Sequence, residues 1–432
     1  MQHPVADDGR GDSLRAALVG TFRRIMRLYF REIERVGVAP GADTRGRVFV
    51  SNHYNALIDP ILVLTDAACE ISPIAKSTLW SVPGLRWLLD RAGAVPIVRR
   101  KDTPGKDASA NDAAFDRIAT HLSTGGNILI FPEGTSHSEP QLAPLRTGAA
   151  RMLLAAERAG GVPPTFQAAA LEFDRRDDFR SRVLVLWGPV RKFADLTGGD
   201  EERVRAATAM MDADLRELLV EGESHEDRLR IARVAEMLAN DAGEPTMENW
   251  NGIGRQVELA SRTLRSVDPR VVADVSTHVD AYYGELERHK LHDAQVTTRE
   301  PPHREPTAGW KRMALAPLAA TGFALYAIPY FIPRLVARSS DPDAVSTIKL
   351  GSALVVYPLW AAGLVGASML LPPPLSLAAA AVAVASPFAA LRWLDEWYER
   401  EHDVTPAQLS SLTRLRIAAR AAIDDARSKL PS

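Results

Sequence analysis

The chain has one cysteine, Cys69, in 432 residues. No intrachain disulfide framework can form, and a zinc centre built on four thiolates is excluded; the composition suits a reducing compartment. Charge of neither sign predominates, with a formal net charge of -2, so no global field favours nucleic acid or an acidic partner. An apolar signal-peptide core is missing from the first residues, which instead carry Asp7, Asp8, Arg10 and Asp12; no cleaved leader is expected. No Gly-X-Ser-X-Gly nucleophile turn occurs, which weakens a serine-hydrolase reading. The histidines His121, His137, His289 and His292 have no convincing carboxylate partner set, and no metal is expected. Charge itself is absent from two long stretches, Met313–Pro333 and Leu350–Leu391.

What is present changes character along the chain. Ser13 to Val36 reads as a helix with Leu14, Leu18, Phe22, Ile25, Tyr29 and Ile33 at helical spacing and arginines between them. Two readings stand for it: a basic helix lying in the headgroup layer of an anionic membrane, or a surface helix packed on its own domain. From residue 46 to about 195, short apolar runs (Val48–Val50, Val95–Val98, Ile128–Phe131, Val183–Leu186) alternate with helical stretches near 60–68, 84–92, 108–123 and 146–158. That alternation predicts α/β architecture. Residues 196–300 lose the strand signals and read as four amphipathic helices with no chemistry of their own. A Pro-rich polar linker at 297–307 follows, then the uncharged stretches within 301–395. A spanning helix needs roughly 20 apolar residues. Leu350–Leu391 is long enough for two, turning at Pro372-Pro373-Pro374, with Lys349 and Arg392 at its ends. Those charges place both ends on the cytoplasmic side. The first stretch has basic residues on both sides, and spanning and re-entrant readings both stand. Residues 396–432 end the chain in a charged amphipathic helix.

Two segments carry chemistry. In Ser51-Asn52-His53-Tyr54-Asn55-Ala56-Leu57-Ile58-Asp59-Pro60, His53 directly follows a strand and Asp59 opens a helix. A carboxylate folded back onto an imidazole fixes its tautomer and leaves the other nitrogen as a base. The alternative is a turn histidine and an N-capping aspartate. In Phe131-Pro132-Glu133-Gly134-Thr135, Pro132 and Gly134 mark a tight turn after a strand, able to present N–H groups to an anion. Glu133 is equally readable as a buried carboxylate bracing that turn. Arg99, Arg100 and Lys101 follow the Val95–Val98 strand, and Arg146 and Arg151 follow the Gly134 turn. Arginine forks match phosphate oxygens.

Together Asn52-His53…Asp59-Pro60, the Gly93–Arg99 stretch, Phe131–Thr135 and Pro144-Leu145-Arg146-Thr147-Gly148 resemble the four sequence blocks of the glycerolipid acyltransferase family. Glu172-Phe173…Phe179-Arg180-Ser181-Arg182-Val183 further resembles its fungal-type glycerol-3-phosphate and dihydroxyacetone-phosphate branch. The resemblance covers about 45–195. It implies an α/β acyltransferase domain followed by a helical region and C-terminal membrane helices. It also implies transfer from an acyl-CoA or acyl-carrier-protein thioester as co-substrate, with no other cofactor. His53 would be the base and Asp59 its orienting partner. Arg99, Arg100, Glu133, Gly134, Thr135, Arg146, Arg180 and Ser181 would hold the phosphorylated glycerol-type acceptor. Two departures matter. Five residues, not the commoner four, separate His53 from Asp59, and Ser136 stands where the commoner pattern has arginine. Arg99, Arg146 and Arg180 are the candidates to replace that arginine. Acylation of lysophosphatidate is the nearest competing reaction, and a non-catalytic lipid-binding membrane protein is the competing class. The expected location is a membrane, with the catalytic domain on its cytoplasmic side.

Overall fold

The computed structural model describes residues 9–81, 84–98, 109–296, 309–340, 344–398 and 406–430. The chain divides into two units, Met1–Glu221 and Gly222–Ser432.

In the first unit, α1 (Gly9–Tyr29), β1 (Glu32–Val36), β2 (Arg47–Val50), α2 (Ile58–Asp66), β3 (Ser72–Lys76), α3 (Leu85–Arg91) and β4 (Val95–Ile97) come first. They are followed by α4 (Ser109–Ser123), β5 (Ile128–Ile130), α5 (Gly148–Ala159), β6 (Thr165–Phe173), β7 (Arg182–Lys192) and α6 (Asp200–Leu218). The sheet has seven strands in the order β1-β7-β6-β2-β5-β3-β4, and every pairing is parallel except β6 with β7. A central parallel strand is covered on both faces, which is why β2 reads as an unbroken apolar run. Val48, Phe49 and Val50 are all fully buried, each side chain contributing about 1.5–3 kcal/mol through burial.

Three strands depart from the sequence reading. The helix expected over Ser13–Val36 stops at Tyr29, and Glu32–Val36 instead pairs in parallel with β7 from Glu32↔Arg182 to Val36↔Leu186. Its stop is imposed from outside: Arg180 Nη1 donates to the carbonyl oxygens of Arg27, Leu28 and Phe30 at 3.1, 3.0 and 3.1 Å. A cation on the last carbonyls of a helix satisfies groups that have no partner within the helix. The charges that disguise β1 suit an edge strand, where the Arg35 guanidinium forks onto Asp66. β3 is masked by Ser72, Pro73 and Lys76, and β6 by the helix-favouring run Ala168-Ala169-Ala170. The basic helix α1 sits on its own unit through Arg15 Nη2 to Ile71 O (2.7 Å) and Arg23 Nε to Thr65 O (2.7 Å), while Arg24 and Arg27 stay exposed.

The division falls after Glu221 and not at 195, because α6 is tied to the sheet layer. Arg203 pairs with Glu157 of α5, Arg191 of β7 with Asp214, and the Val220 N–H donates to Glu172 Oε1 at 2.8 Å.

The second unit packs α7 (His225–Ala242), α8 (Met247–Val267) and α9 (Pro269–His289) with the last helix of the chain. Between α9 and that helix come three apolar helices, α10 (Gly309–Val336), α11 (Val345–Ser368) and α12 (Leu375–Tyr398), and the last is α13 (Pro406–Ser428). Met237, Val279, Tyr282, Leu286, Leu412 and Ala419 form one core from α7, α9 and α13. Asp293, fully buried, locks it. It accepts from Tyr282 Oη (2.6 Å), Asn240 Nδ2 (2.8 Å) and both Arg416 donors (2.8 and 3.1 Å).

Met313–Ser339, Val345–Ser368 and Leu375–Asp395 are long and apolar enough to cross a membrane, and only 22%, 6% and 22% of their most apolar stretches are buried. Exposed Ile328, Phe331, Leu359 and Leu377 give these helices a surface suited to lipid. Gly322 permits a close approach of α10 to α12: a methyl there would collide with the Ser386 carbonyl. The expected linker at 297–307 lies outside the described residues.

Removing one member of a buried ion pair leaves the other charge without compensation. Arg416→Ala is therefore expected to destabilise the second unit by about 3–5 kcal/mol, read as a lower thermal midpoint and faster proteolysis near α13.

Candidate active site

Strands β2 and β5 are parallel neighbours, with Val50 opposite Ile130. The residues that leave their carboxyl ends, His53 from one and Glu133 from the other, therefore meet at one rim of the sheet, where ligands of parallel sheets bind. Asn52 prolongs the ladder with its side chain. Its Nδ2 donates to Leu171 O (3.0 Å) and its Oδ1 accepts from Leu171 N (2.8 Å), so the amide stands in for one more strand residue beside β6.

His53 is held at four points. Its N–H donates to Glu133 Oε1 at 2.8 Å and its carbonyl accepts from His137 N–H at 3.1 Å. The ring lies on Phe131, with centroids 4.0 Å apart and planes 18° from parallel. Nδ1 is 3.1 Å from Asp59 Oδ2. Asp59 is an acceptor-only carboxylate, so Nδ1 carries the proton and Nε2 keeps its lone pair. Nε2 has no partner among the described residues, and the side chain is 9% exposed.

Asp59 is completely buried near the start of α2. The same Oδ2 also accepts from Asn55 N–H at 2.6 Å, closing the turn that brings the carboxylate back to the imidazole. Loss of water pushes its carboxyl above the ordinary aspartate range; the bonds from His53 and the Asn55 and Tyr54 amides oppose that shift without cancelling it. The five-residue spacing thus brings the two side chains together; Asp59 also closes the turn, but it is not the N-cap of α2, a place held by Leu57.

Several acceptor-binding expectations are altered. Glu133 is buried, and both its oxygens are engaged inside the protein: Oε1 by His53, Oε2 by Ala143 N–H at 2.9 Å and by His137 Nε2. It is the brace of the turn, the alternative its sequence left open. Gly134 has φ +81° and its N–H donates to Phe131 O at 3.0 Å, so that amide is not available to an anion. Its missing side chain makes room for Arg146, whose Nε would lie 2.8 Å from a Cβ there. Arg146 is exposed, with no side-chain hydrogen bond among the described residues, and the neighbouring Thr135 is exposed with it. Arg180 is spent on the end of α1, and the Ser181 hydroxyl is fully buried without a hydrogen-bond partner, so neither faces an acceptor. Arg99 and Arg100 lie outside the described residues. Among the described residues no cluster of His, Cys, Asp and Glu could hold a metal.

Sequence reasoning missed His137, Phe131 as a stacking surface, and Asn52. His137 had a readable signal, four residues beyond Glu133 and just past the Pro132–Gly134 turn, and its bond to Glu133 gives it the carboxylate partner the sequence reading did not find.

Residues 31–166 match the family profile described as Acyltransferase. Over 82 residues (18% of this chain) the sequence is 39% identical to glycerol-3-phosphate O-acyltransferase 2 of Saccharomyces cerevisiae. Over 121 residues (28% of this chain) it is 27% identical to a chloroplastic 1-acyl-sn-glycerol-3-phosphate acyltransferase of Brassica napus. The matched segments span 11% and 33% of those relatives' own lengths. A crystal structure of the 1-acyl-sn-glycerophosphate acyltransferase of Thermotoga maritima aligns at 16% identity and a TM-score of 0.34, covering 49% of this chain and 84% of that one. The profile match encloses His53, Asp59, Glu133 and Arg146, so the residues gathered at this rim of the sheet lie within the acyltransferase-like segment.

Proposed function

We propose that this chain transfers a fatty acyl group from a thioester donor to the hydroxyl of glycerol 3-phosphate or dihydroxyacetone phosphate, at a membrane, with its first unit on the cytoplasmic side. The observation that carries the reading is His53: a proton fixed on Nδ1 by a buried carboxylate and a free Nε2 at the rim of the sheet. Nε2 takes the proton of the acceptor hydroxyl as its oxygen attacks the thioester carbonyl. The imidazolium so formed is stabilised by Asp59. Collapse of the tetrahedral intermediate breaks the C–S bond, and the leaving thiolate recovers the proton from Nε2. The products are an ester and a free thiol, and no covalent enzyme intermediate is needed. The exposed Arg146 over the Gly134 turn supplies a fork for the acceptor phosphate.

The acceptor is chosen on the higher identity to the yeast glycerol-3-phosphate enzyme. Lysophosphatidate is the second reading, supported by the longer matched segment of the plant relative. Acyl transfer in membranes containing the protein tests both, with glycerol 3-phosphate, dihydroxyacetone phosphate and lysophosphatidate offered in parallel against acyl-CoA and acyl-carrier protein. Labelled product from either of the first two supports the proposal, and product from lysophosphatidate alone overturns it.

His53→Ala is expected to lower kcat about 10²–10⁴-fold, the contribution of a positioned base. Arg146→Ala should raise KM for the acceptor on the order of tenfold or more, since a hydrogen bond to a charged group contributes about 1.5–3 kcal/mol. Asp59→Asn separates stability from activity. An acid whose folded pKa lies above the unfolded value contributes most stability below about pH 3.9 and loses it as pH rises through the folded value. Ionised Asp59 is therefore a cost to the fold at neutral pH. The variant should melt at the same or a higher temperature at pH 7 while kcat falls about 10²–10⁴-fold.

A further inference from the structure

We propose that His137, outside the four sequence blocks, is a positioning residue for the base: it sets where His53 stands by holding both the Glu133 carboxylate and the His53 carbonyl. The proposal rests on the acyltransferase reading for its kinetic consequence, though not for its structural one.

The geometry is a closed loop. His137 N–H donates to His53 O at 3.1 Å, while His137 Nε2 bonds Glu133 Oε2, and Glu133 Oε1 accepts the His53 N–H at 2.8 Å. One residue therefore acts on both peptide groups of His53, directly on its carbonyl and through Glu133 on its amide. The tautomer is set within the loop. His137 Nδ1 accepts the Glu139 N–H at 3.2 Å, so the ring proton lies on Nε2 and is donated to the carboxylate. Tyr54, the residue after the base, packs edge-on to the His137 ring with centroids 6.0 Å apart.

The charged groups that face the ring are Glu133, Glu139 and Arg176, the last held near by its bond to Ser138 Oγ at 3.1 Å. Glu133 dominates, and its bond holds the His137 imidazole above the ordinary histidine range. Only 3% of Glu133 is exposed, so water cannot readily replace His137 as its partner. Without that partner Oε2 keeps only the Ala143 N–H, and the carboxylate is free to pivot. Its pivot carries Oε1 away from the His53 amide. Asp59 still fixes the tautomer of the base, so what is lost is position, and position is felt in kcat.

His137→Ala and His137→Gln in the full chain, reconstituted in vesicles, test this. The glutamine amide can donate to Glu133 roughly where Nε2 does. Two readouts are taken on both variants: steady-state acyl transfer with the acceptors named above, and deuterium uptake of the peptide containing His53. Expected for His137→Ala is a fall in kcat on the order of tenfold or more, KM for donor and acceptor within about twofold, and faster uptake around His53. Glutamine should restore most of both, and the thermal midpoints of the two variants should agree. Unchanged kcat and uptake in His137→Ala would overturn the proposal. So would a raised KM at unchanged kcat, which would make His137 an acceptor contact. If the wild-type chain transfers to no acceptor, the acyltransferase reading fails while the uptake readout still decides whether His137 holds His53.

Discussion

Val50 and Ile130 stand opposite each other in the parallel ladder between β2 and β5, and the site depends on that register. Parallel strands present their carboxyl ends on the same side, so two chain segments eighty residues apart are delivered to one rim. A slip of one residue would turn Ser51 and Asn52 through the sheet and take His53 away from Glu133. The Asn52 amide guards against that slip by bonding both backbone groups of Leu171 in β6, so the register is pinned by a third strand. What holds the His53 imidazole in place is thus mostly backbone geometry completed by three side-chain carbonyl and carboxyl groups.

The site also carries a cost. Asp59 is fully buried with Oδ1 unpartnered, and the side-chain amide of Asn55, four residues before it, has neither donor nor acceptor satisfied. Buried polar groups without partners oppose folding, and they gather in the turn that brings the carboxylate to His53. The surrounding sheet, with the buried apolar runs Val48–Val50 of β2, Ala168–Leu171 of β6 and Val183–Trp187 of β7, is what offsets this. Stability is concentrated in the strands and spent in the loops that leave them.

Much of this was legible in the residues. The α/β alternation, the four apolar strand cores, the His53–Asp59 pair and the uncharged helices all leave periodic or compositional marks. β1 was not legible because an edge strand tolerates charge, and Glu-Ile-Glu-Arg continues a helical stripe until Arg180 cuts it off. β6 was hidden because alanine favours helix wherever packing does not decide, and here packing decides. The role of Arg180 was misread for a related reason. Sequence gives the charge of an arginine but not its partner, and the ends of buried helices need cations as much as phosphates do. Arg146 is the opposite case, since a glycine opposite it leaves its guanidinium uncovered.

The union of α9 and α13 in one core has a consequence for how the second unit meets a bilayer. A membrane divides space in two, and a chain that departs from α9 and returns to pack against it has crossed that boundary an even number of times. Three apolar helices lie between them. Three complete crossings and the Asp293–Arg416 lock are therefore mutually exclusive arrangements of the same chain. While the lock is closed, at most two of α10, α11 and α12 can pass completely through a bilayer.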